Sequence, residues 1–314
     1  MNLLFVASGN KKGQVSPIVK AQADSIIQAG LIVDVFPIIG NGLLGYLRAA
    51  LLLRKFLKSK DPYNIIHAHY SLSAFTATLA GSRPLVVSLM GSDTNQGLVL
   101  KLIIRFFNFV FWRHCIVKSE GMRASLKIKN ISVIPNGVDL NNFKPLSKDS
   151  AREQLGWDID VLHVLFAANP IRPEKNFQLL ESALRLLNRH VVIKTLVDVP
   201  HHSIHLYMNA ADVVALPSLR EGSPNVIKEA MACNRPIVST KVGDVEHLFN
   251  QLKGCYLASF STSDFADKLE KAIVFSESEH FTSGRDRIIK LGLSSAVVAN
   301  QLLDLYERYG HKDE

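Results

Sequence analysis

Short apolar runs alternate with longer amphipathic segments along most of the chain. The run Asn2 to Ser8 leads into a glycine-bearing loop, a helical pattern follows from about Ser16 to Ala29, and Leu31 to Ile38 is apolar again. This order of strand, loop, helix and strand predicts a βαβ unit with parallel strands. Because similar alternation recurs further along the chain, we expect an α/β protein built from doubly wound sheets.

Two later apolar runs, 64–70 and 84–90, deliver polar side chains at their carboxyl ends, where ligands bind in open α/β sheets. His69 and Asp93 are therefore candidates for ligand contact. His67 lies on the same strand face as His69 because the side-chain period of a strand is two. We expect His67 to be packed and hydrogen-bonded, and the pair has no nearby third ligand that would predict a metal site.

Two helical segments, Gly42 to Lys60 and Gly97 to His114, combine apolar with basic residues. The longest uncharged run of the second, Phe106 to Trp112, is far shorter than the roughly 20 apolar residues that span a bilayer. Two interpretations stay open for this segment. It is either a core helix between a sheet and its neighbour or a helix laid partly in a lipid interface.

Length and composition indicate a folded protein of two domains. The 314 residues are 47% hydrophobic and 20% charged, and a polar stretch from Lys148 to Arg152 suggests a boundary. Three scattered cysteines predict neither a disulfide framework nor a zinc site, and they fit a reducing cytoplasm. The first residues predict a strand rather than a signal peptide.

The net charge of +8 is unevenly distributed. Residues 1–150 hold 18 Lys and Arg against 7 Asp and Glu, a balance of +11, and the remainder holds 18 against 21, a balance of −3. A basic first half indicates an anionic partner. No nucleic-acid-binding motif accompanies the basic residues, so we do not expect a nucleic acid as the partner. We expect a cytoplasmic protein that contacts the inner face of an anionic membrane peripherally.

Residues 220–238 read as a loop, a helix from Asn225 to Cys233 and a strand. Glu221 lies in the loop and Glu229 lies within the helix. A helix N-terminus offers free N–H groups to a phosphate, and neighbouring carboxylates accept hydrogen bonds from vicinal hydroxyls. Phosphate and sugar hydroxyls together indicate a nucleotide sugar.

Two cations, Arg172 and Lys175, lie between the apolar run 161–169 and a helical pattern that begins near Phe177. At a helix N-terminus they would add positive charge to a phosphate site. The plain alternative is a pair of surface cations in a loop.

The E-x7-E spacing of Glu221 and Glu229, with Gly-Ser-Pro after the first and Glu-Ala-Met-Ala from the second, resembles the donor-site signature of the family 4 retaining glycosyltransferases of GT-B fold. Residues 210–218 and 239–244 resemble the flanking segments, and 172–176 are similar to the family's diphosphate-binding loop. The resemblance implies two Rossmann-like domains facing a cleft. Residues 1–145 would bind the acceptor, 146–293 would bind the nucleotide sugar, and a C-terminal helix, about 294–314, would pack back on the first domain.

Carried onto this sequence, the resemblance assigns roles residue by residue. The implied catalytic residues are Arg172, Lys175 and Glu221, and His69 and Asp93 face the acceptor. The donor-binding residues are Glu229, Gly222, Ser223, Pro224, Asn225 and Gly13. The alternative for Gly13 is that it only forms a tight turn and does not contact the donor. No metal and no cofactor are implied beyond a nucleoside-diphosphate sugar of UDP or GDP type. The acceptor would be a glycan or a lipid-linked molecule of surface polysaccharide or glycoconjugate synthesis.

Two departures from the family pattern limit these expectations. Met90 stands where many members have a histidine, so the role of that histidine cannot be transferred. The second domain is shortened between 194 and 206, so the sequence does not determine which nucleotide base is bound. His201 and His202 could lie on the loop surface or contact the base. An epimerase or phosphorylase of the same fold and a non-catalytic donor-binding partner subunit are the alternative functions.

Overall fold

The computed structural model describes residues 1–40, 42–95 and 97–310, and the chain divides into two compact α/β units. The first unit comprises residues 1–137 and the C-terminal helix that begins at Ser295, and the second comprises Val138–Ser294. Each unit has its own parallel sheet. The expected α/β class with two Rossmann-like units is confirmed.

The first sheet has the strand order β2-β1-β3-β4-β5-β6. Its strands are β1 (Asn2–Ser8), β2 (Ile32–Ile38), β3 (Ile65–His69), β4 (Leu85–Ser88), β5 (His114–Val117) and β6 (Ile131–Val133). The helices of this unit are α1 (Pro17–Gln28), α2 (Gly42–Lys58), α3 (Ser71–Leu79), α4 (Gly91–Asn95), α5 (Leu98–Val110), α6 (Glu120–Leu126) and the last helix of the chain, α14 (Ser295–Gly310).

The two faces of the first sheet support separate hydrophobic clusters, because side chains alternate along each strand. On one face, strand residues such as Val6 and Val87 pack with Leu53 of α2 and Ile104 of α5. On the other, Leu3 and Phe5 pack with Ile26 of α1 and with Val298, Leu302 and Tyr306 of α14. The C-terminal helix is thus part of the core of the first unit.

The second sheet has the order β11-β10-β9-β7-β8. Its strands are β7 (Leu162–Phe166), β8 (Val191–Thr195), β9 (Val213–Leu216), β10 (Ile237–Thr240) and β11 (Cys255–Ala258). Its helices are α7 (Lys148–Leu155), α8 (Phe177–Leu184), α9 (Ile204–Ala210), α10 (Asn225–Ala232), α11 (Val245–Phe249), α12 (Thr262–Ser278) and α13 (Gly284–Lys290).

Both sheets begin with the same reversal of strand order. The chain starts at an inner strand, moves to the adjacent edge strand and then crosses back, so β1 lies beside both β2 and β3 and β7 lies beside both β8 and β9. Loops at the carboxyl ends of β1 and β3, and of β7 and β9, diverge at such a switch point and leave room for a ligand. Each unit therefore has one preferred binding edge.

The division between the units falls at residue 137, not at the predicted boundary near 145. Arg285 of α13 donates to the carbonyl oxygens of Phe143 (2.7 Å) and Leu140 (2.9 Å), and Asn209 of α9 pairs with the backbone of Lys144 and Leu146. These bonds tie the segment 138–146 to the second unit.

The polar stretch taken from the sequence as a boundary, Lys148 to Arg152, is the first part of helix α7. The Ser147 hydroxyl accepts from the Ser150 N–H, and Gly156 in the left-handed conformation ends the helix. Arg152 is buried and pairs with Asp212 at 2.6 Å. This ion pair anchors α7 to the start of β9.

Helix α5 packs on the sheet through Ile104 and leaves most of its other apolar side chains exposed, so it is not a core helix enclosed between the sheet and a neighbour. Only Ile104 and Asn108 of this helix are buried, whereas Phe106 is 58% and Phe109 90% exposed. The cations face inward, since Lys101 donates to the Ser125 hydroxyl and Arg105 to the carbonyl oxygen of Leu126. No helix within the described ranges is both long and apolar enough to cross a bilayer.

Candidate active site

Lys175 and Glu221 meet at the switch point of the second sheet. Lys175 follows β7 and Glu221 follows β9, and the Nζ to Oε1 distance is 2.5 Å with 13% and 15% of the two side chains exposed. Ser218 donates its hydroxyl to the same carboxylate oxygen at 2.9 Å. The Leu219 N–H also donates to the carbonyl oxygen of Glu174, so the two loops are fixed to each other. Two residues chosen from separate motifs thus form one ionic cluster.

Arg172 lies in the same loop as Lys175, but its side chain is more than half exposed and bonds Glu174. A 3₁₀ turn, Pro173–Lys175, separates the two cations. Arg172 therefore contributes charge at the open side of the loop, whereas Lys175 lies within the ionic cluster.

The loop Gly222–Pro224 leads into α10 and packs tightly against the loop after β10. Gly243 has a φ of +56°, and a Cβ atom there would lie 2.6 Å from the carbonyl oxygen of Gly222. Only glycine fits this conformation and this contact. The close approach holds the backbone ahead of Asn225, the first residue of α10, at the end of the helix that carries partial positive charge.

A buried lysine that the sequence analysis did not single out lies beneath this loop. Lys228 is fully buried on α10 and donates to the Ser223 hydroxyl at 3.3 Å. Burial lowers the pKa of Lys228 to about 8, and the charges of Asp244 and Glu229 act against that shift. Burial also raises the pKa of Asp244, while the Ser223 hydroxyl and Lys228 act to lower it. The signal in the sequence was a lysine among the apolar positions of a short helix.

Glu229, the next residue of α10, is 9% exposed and lies 3.3 Å from the imidazole of His201. The hydrogen bond to Glu229 raises the pKa of His201, and burial opposes it. His201 belongs to a 3₁₀ turn, His201–Ser203, in the shortened connection between β8 and α9. The structure thus gives this histidine a partner among the predicted donor-binding residues.

In the first unit, His67 and His69 stack with ring centroids 4.3 Å apart. His67 bonds the Tyr306 hydroxyl at 2.6 Å and the Ser88 hydroxyl at 2.8 Å, so it is the packed, hydrogen-bonded histidine that the sequence predicts. His69 is 2% exposed, and burial, with the charge of Lys118, lowers its pKa to about 3. A neutral, enclosed His69 has no open side for an acceptor, and its contact with substrate stays a prediction.

Asp93 and Gly13 lie at the carboxyl edge of the same sheet. The Asp93 carboxylate is buried and accepts N–H groups of Ser71 (3.1 Å) and Met90 (2.6 Å), and burial raises its pKa to about 6. Gly13 has a φ of +76° in a tight turn whose N–H groups bond Asn10. The structure accounts for both residues by local bonding, and their contacts with ligands stay predictions.

The residues that the structure describes contain no cluster of three or more His, Cys, Asp or Glu side chains arranged to hold a metal ion. The positive groups around Glu221 and Glu229 are side-chain cations and the start of α10. The arrangement in the second unit suits an anionic ligand that also carries hydroxyl groups.

Comparisons with known proteins agree with this arrangement. The family model Glycosyltransferase Family 4 matches residues 15–142, and Glycosyl transferases group 1 matches residues 158–274. TuaC of Bacillus subtilis, named as a teichuronic acid biosynthesis glycosyltransferase, is 26% identical over 71% of this chain and 65% of its own length. A D-inositol 3-phosphate glycosyltransferase of Arthrobacter is 30% identical over 45% of this chain and 41% of its own. The chain thus aligns with less than two thirds of either relative.

Solved structures share the fold over nearly the whole chain. Sucrose-phosphate synthase from Thermosynechococcus elongatus superposes with a TM-score of 0.79 at 17% identity, covering 98% of both chains. HepE of Anabaena, in complex with UDP-glucose, superposes with a TM-score of 0.78 at 18% identity, covering 98% of this chain and all of its own. From the two family matches, the E-x7-E motif and the fold, we conclude that this chain belongs to the family 4, or group 1, glycosyltransferases of GT-B fold.

Proposed function

We propose that this chain is a retaining glycosyltransferase that moves a sugar from a nucleoside-diphosphate sugar to a glycan or lipid-linked acceptor. The observation that carries the proposal is the ion pair between Lys175, in the loop after β7, and Glu221, in the loop that leads into α10. A diphosphate needs fixed positive charge, and a sugar needs acceptors for its hydroxyls. Both kinds of group converge at the binding edge of the second unit.

Each residue of this cluster has a distinct task in the proposed reaction. Cleavage of the bond between sugar and diphosphate leaves negative charge on the phosphate oxygens. The ammonium group of Lys175, the guanidinium of Arg172 and the positive end of the α10 dipole stabilise that charge. Glu221 accepts hydrogen bonds from the transferred sugar, and Glu229 accepts them from the ribose. No metal ion is required, because the cations take its place beside the phosphates.

The relatives favour some donors and acceptors over others. HepE was solved with UDP-glucose, which supports a uridine donor, with a guanosine donor as the alternative. TuaC is named for teichuronic acid biosynthesis, and other relatives are named D-inositol 3-phosphate glycosyltransferases. The name of TuaC supports a glycan acceptor.

A lipid-linked acceptor also fits the exterior of the first unit. Helices α2 and α5 contribute to one hydrophobic cluster and cover the same face of the sheet. Both expose apolar side chains, with Leu44 81% and Phe109 90% exposed, and α2 adds basic residues along its length. We name these two exposed faces the apolar surface and propose that it lies on an anionic membrane, inserting its apolar side chains while the basic ones meet the headgroups.

One experiment separates this function from its alternatives. The protein is incubated with UDP-sugars and GDP-sugars, with and without a membrane extract as acceptor, and free nucleoside diphosphate is measured. A glycosyltransferase releases nucleoside diphosphate in an acceptor-dependent way. An epimerase changes the sugar without release, a phosphorylase requires inorganic phosphate, and a partner subunit binds the donor without changing it. Any of these last three results would overturn the proposal.

A further inference from the structure

His201 lies against Glu229, and the tasks assigned above do not use it. Its Nε2 atom is 3.3 Å from Glu229 Oε1, with 34% of the histidine side chain and 11% of the glutamate side chain exposed. Phe143 packs against the imidazole with ring centroids 5.8 Å apart, which restrains the ring. A partly open histidine therefore borders the carboxylate that we assign to the ribose.

The path of the chain places His201 at the ligand-binding edge. The 3₁₀ turn that contains it follows Thr195, the carboxyl end of β8. Because β8 runs parallel to β7 and β7 to β9, their carboxyl ends lie at the same edge of the sheet. Lys175 and Glu221 come from the loops after β7 and β9, so three successive strands supply residues to one site.

The charges around His201 favour a firm contact with Glu229. Glu229 faces the imidazole from α10, and Asp139 acts on it from the segment before α7. The next histidines along the chain are His202 and His205, and His205 bonds the carbonyl oxygen of His202. Two carboxylates thus outweigh the burial of the ring and keep its pKa above the ordinary value.

We propose that His201 is a positioning residue for nucleoside recognition. By holding one oxygen of Glu229, it fixes the carboxylate so that the second oxygen accepts hydrogen bonds from the ribose hydroxyls. A carboxylate has about four lone-pair sites, so one bond to an imidazole leaves acceptor capacity for a vicinal diol. The inference rests on the proposed function and adds a nucleoside-side residue from the shortened segment of this chain.

The test compares a ligand that has a ribose with one that lacks it. UDP, GDP and inorganic pyrophosphate are titrated calorimetrically into the wild type, His201→Ala, His201→Gln and, as a matched control, His202→Ala. We expect His201→Ala to weaken binding of the preferred nucleoside diphosphate by about ten-fold, because Glu229 loses the hydrogen bond to its carboxylate that fixes its position. Pyrophosphate affinity should stay within two-fold. Gln donates a neutral hydrogen bond to Glu229 and should restore part of the loss.

Several outcomes would overturn the inference. It is wrong if His201→Ala leaves nucleoside diphosphate affinity unchanged, if pyrophosphate weakens equally, or if His202→Ala has the same effect. Thermal unfolding of each variant shows whether the fold is retained, and the glutamine variant keeps the test decisive if the alanine variant does not fold. A wild type that binds none of the three ligands instead overturns the proposed function, and this inference with it.

Discussion

Lys175 and Glu221 are separated by 46 positions in the chain, and their side chains pair at 2.5 Å. The sequence motifs predict that Lys175 binds the diphosphate and that Glu221 binds the transferred sugar. The structure shows that each also neutralises the other in a site from which most solvent is excluded. A charged group whose partner is removed there is left without compensation, so removal of the Lys175 ammonium should also disturb the Glu221 carboxylate.

The first prediction concerns the two cations near the donor diphosphate. Lys175→Ala and Arg172→Ala should both lower turnover by about ten-fold or more, since about 1.4 kcal/mol of barrier corresponds to a decade of rate. Lys175→Ala should be the more severe, because its side chain is enclosed with Glu221 whereas that of Arg172 is exposed beside Glu174. Steady-state kinetics measure both effects, with the surface variant Lys271→Ala as the control. Equal rates for the wild type and Lys175→Ala would contradict the assignment.

The second prediction concerns the buried Lys228. Its native pKa of about 8 lies below the ordinary lysine value of about 10.4. Between these two pH values the unfolded chain binds more protons than the native one, so stability rises with pH over this window and not below it. Over the whole window, deprotonation of Lys228 raises the free energy of unfolding by roughly 3 kcal/mol.

Denaturant unfolding at pH 7.5 and pH 10 measures this rise, and Lys228→Met should remove it. The exposed lysine variant Lys241→Met, whose side chain is 67% exposed, serves as the control, because other titrating groups contribute equally to all three proteins. An identical pH dependence in the wild type and Lys228→Met would show that the ammonium of Lys228 is not held in a burial-dominated site.

The third prediction is that activity needs no divalent metal. Arg172, Lys175 and the start of α10 supply the positive charge that a magnesium ion would otherwise bring to a diphosphate. Turnover measured after dialysis against EDTA should match the untreated enzyme. Loss of activity that magnesium or manganese restores would refute this.

The fourth prediction concerns the apolar surface of α2 and α5. Sedimentation with vesicles should require anionic lipid and weaken with salt, because each basic residue near such a surface contributes roughly 1 kcal/mol. Phe109→Glu should reduce binding, since this side chain is 90% exposed. Leu186→Glu, at a side chain in the second unit that is 59% exposed, should not. Equal recovery in the supernatant with and without anionic vesicles would disprove membrane docking.

The sequence was most informative where local pattern determines structure. The apolar runs predicted the strands, and polar residues at their carboxyl ends predicted the binding edge, because parallel strands align those ends. Helix α7 was missed although its signals were present, a serine cap at 147 and a glycine at 156. Its polar composition resembled a linker more than a helix.

Contacts between distant positions could not be predicted from spacing. The pairs His201 with Glu229 and His67 with Tyr306 join segments 28 and 239 positions apart, and no local pattern encodes them. The orientation of α5 was also undetermined. Periodicity identifies an apolar face, but it does not say whether that face meets the core or the exterior.

The central claim is that Glu229 binds the nucleoside and Glu221 the transferred sugar of one donor. Calorimetric titration of the preferred nucleoside diphosphate into Glu229→Gln and Glu221→Gln tests it most directly. Loss of a charge-assisted hydrogen bond costs roughly 1.5–3 kcal/mol, so Glu229→Gln should bind the diphosphate at least ten-fold more weakly. Glu221→Gln should bind it nearly as the wild type does while turnover falls. If Glu221→Gln weakens the diphosphate as much as Glu229→Gln does, the division of tasks proposed for this site is wrong.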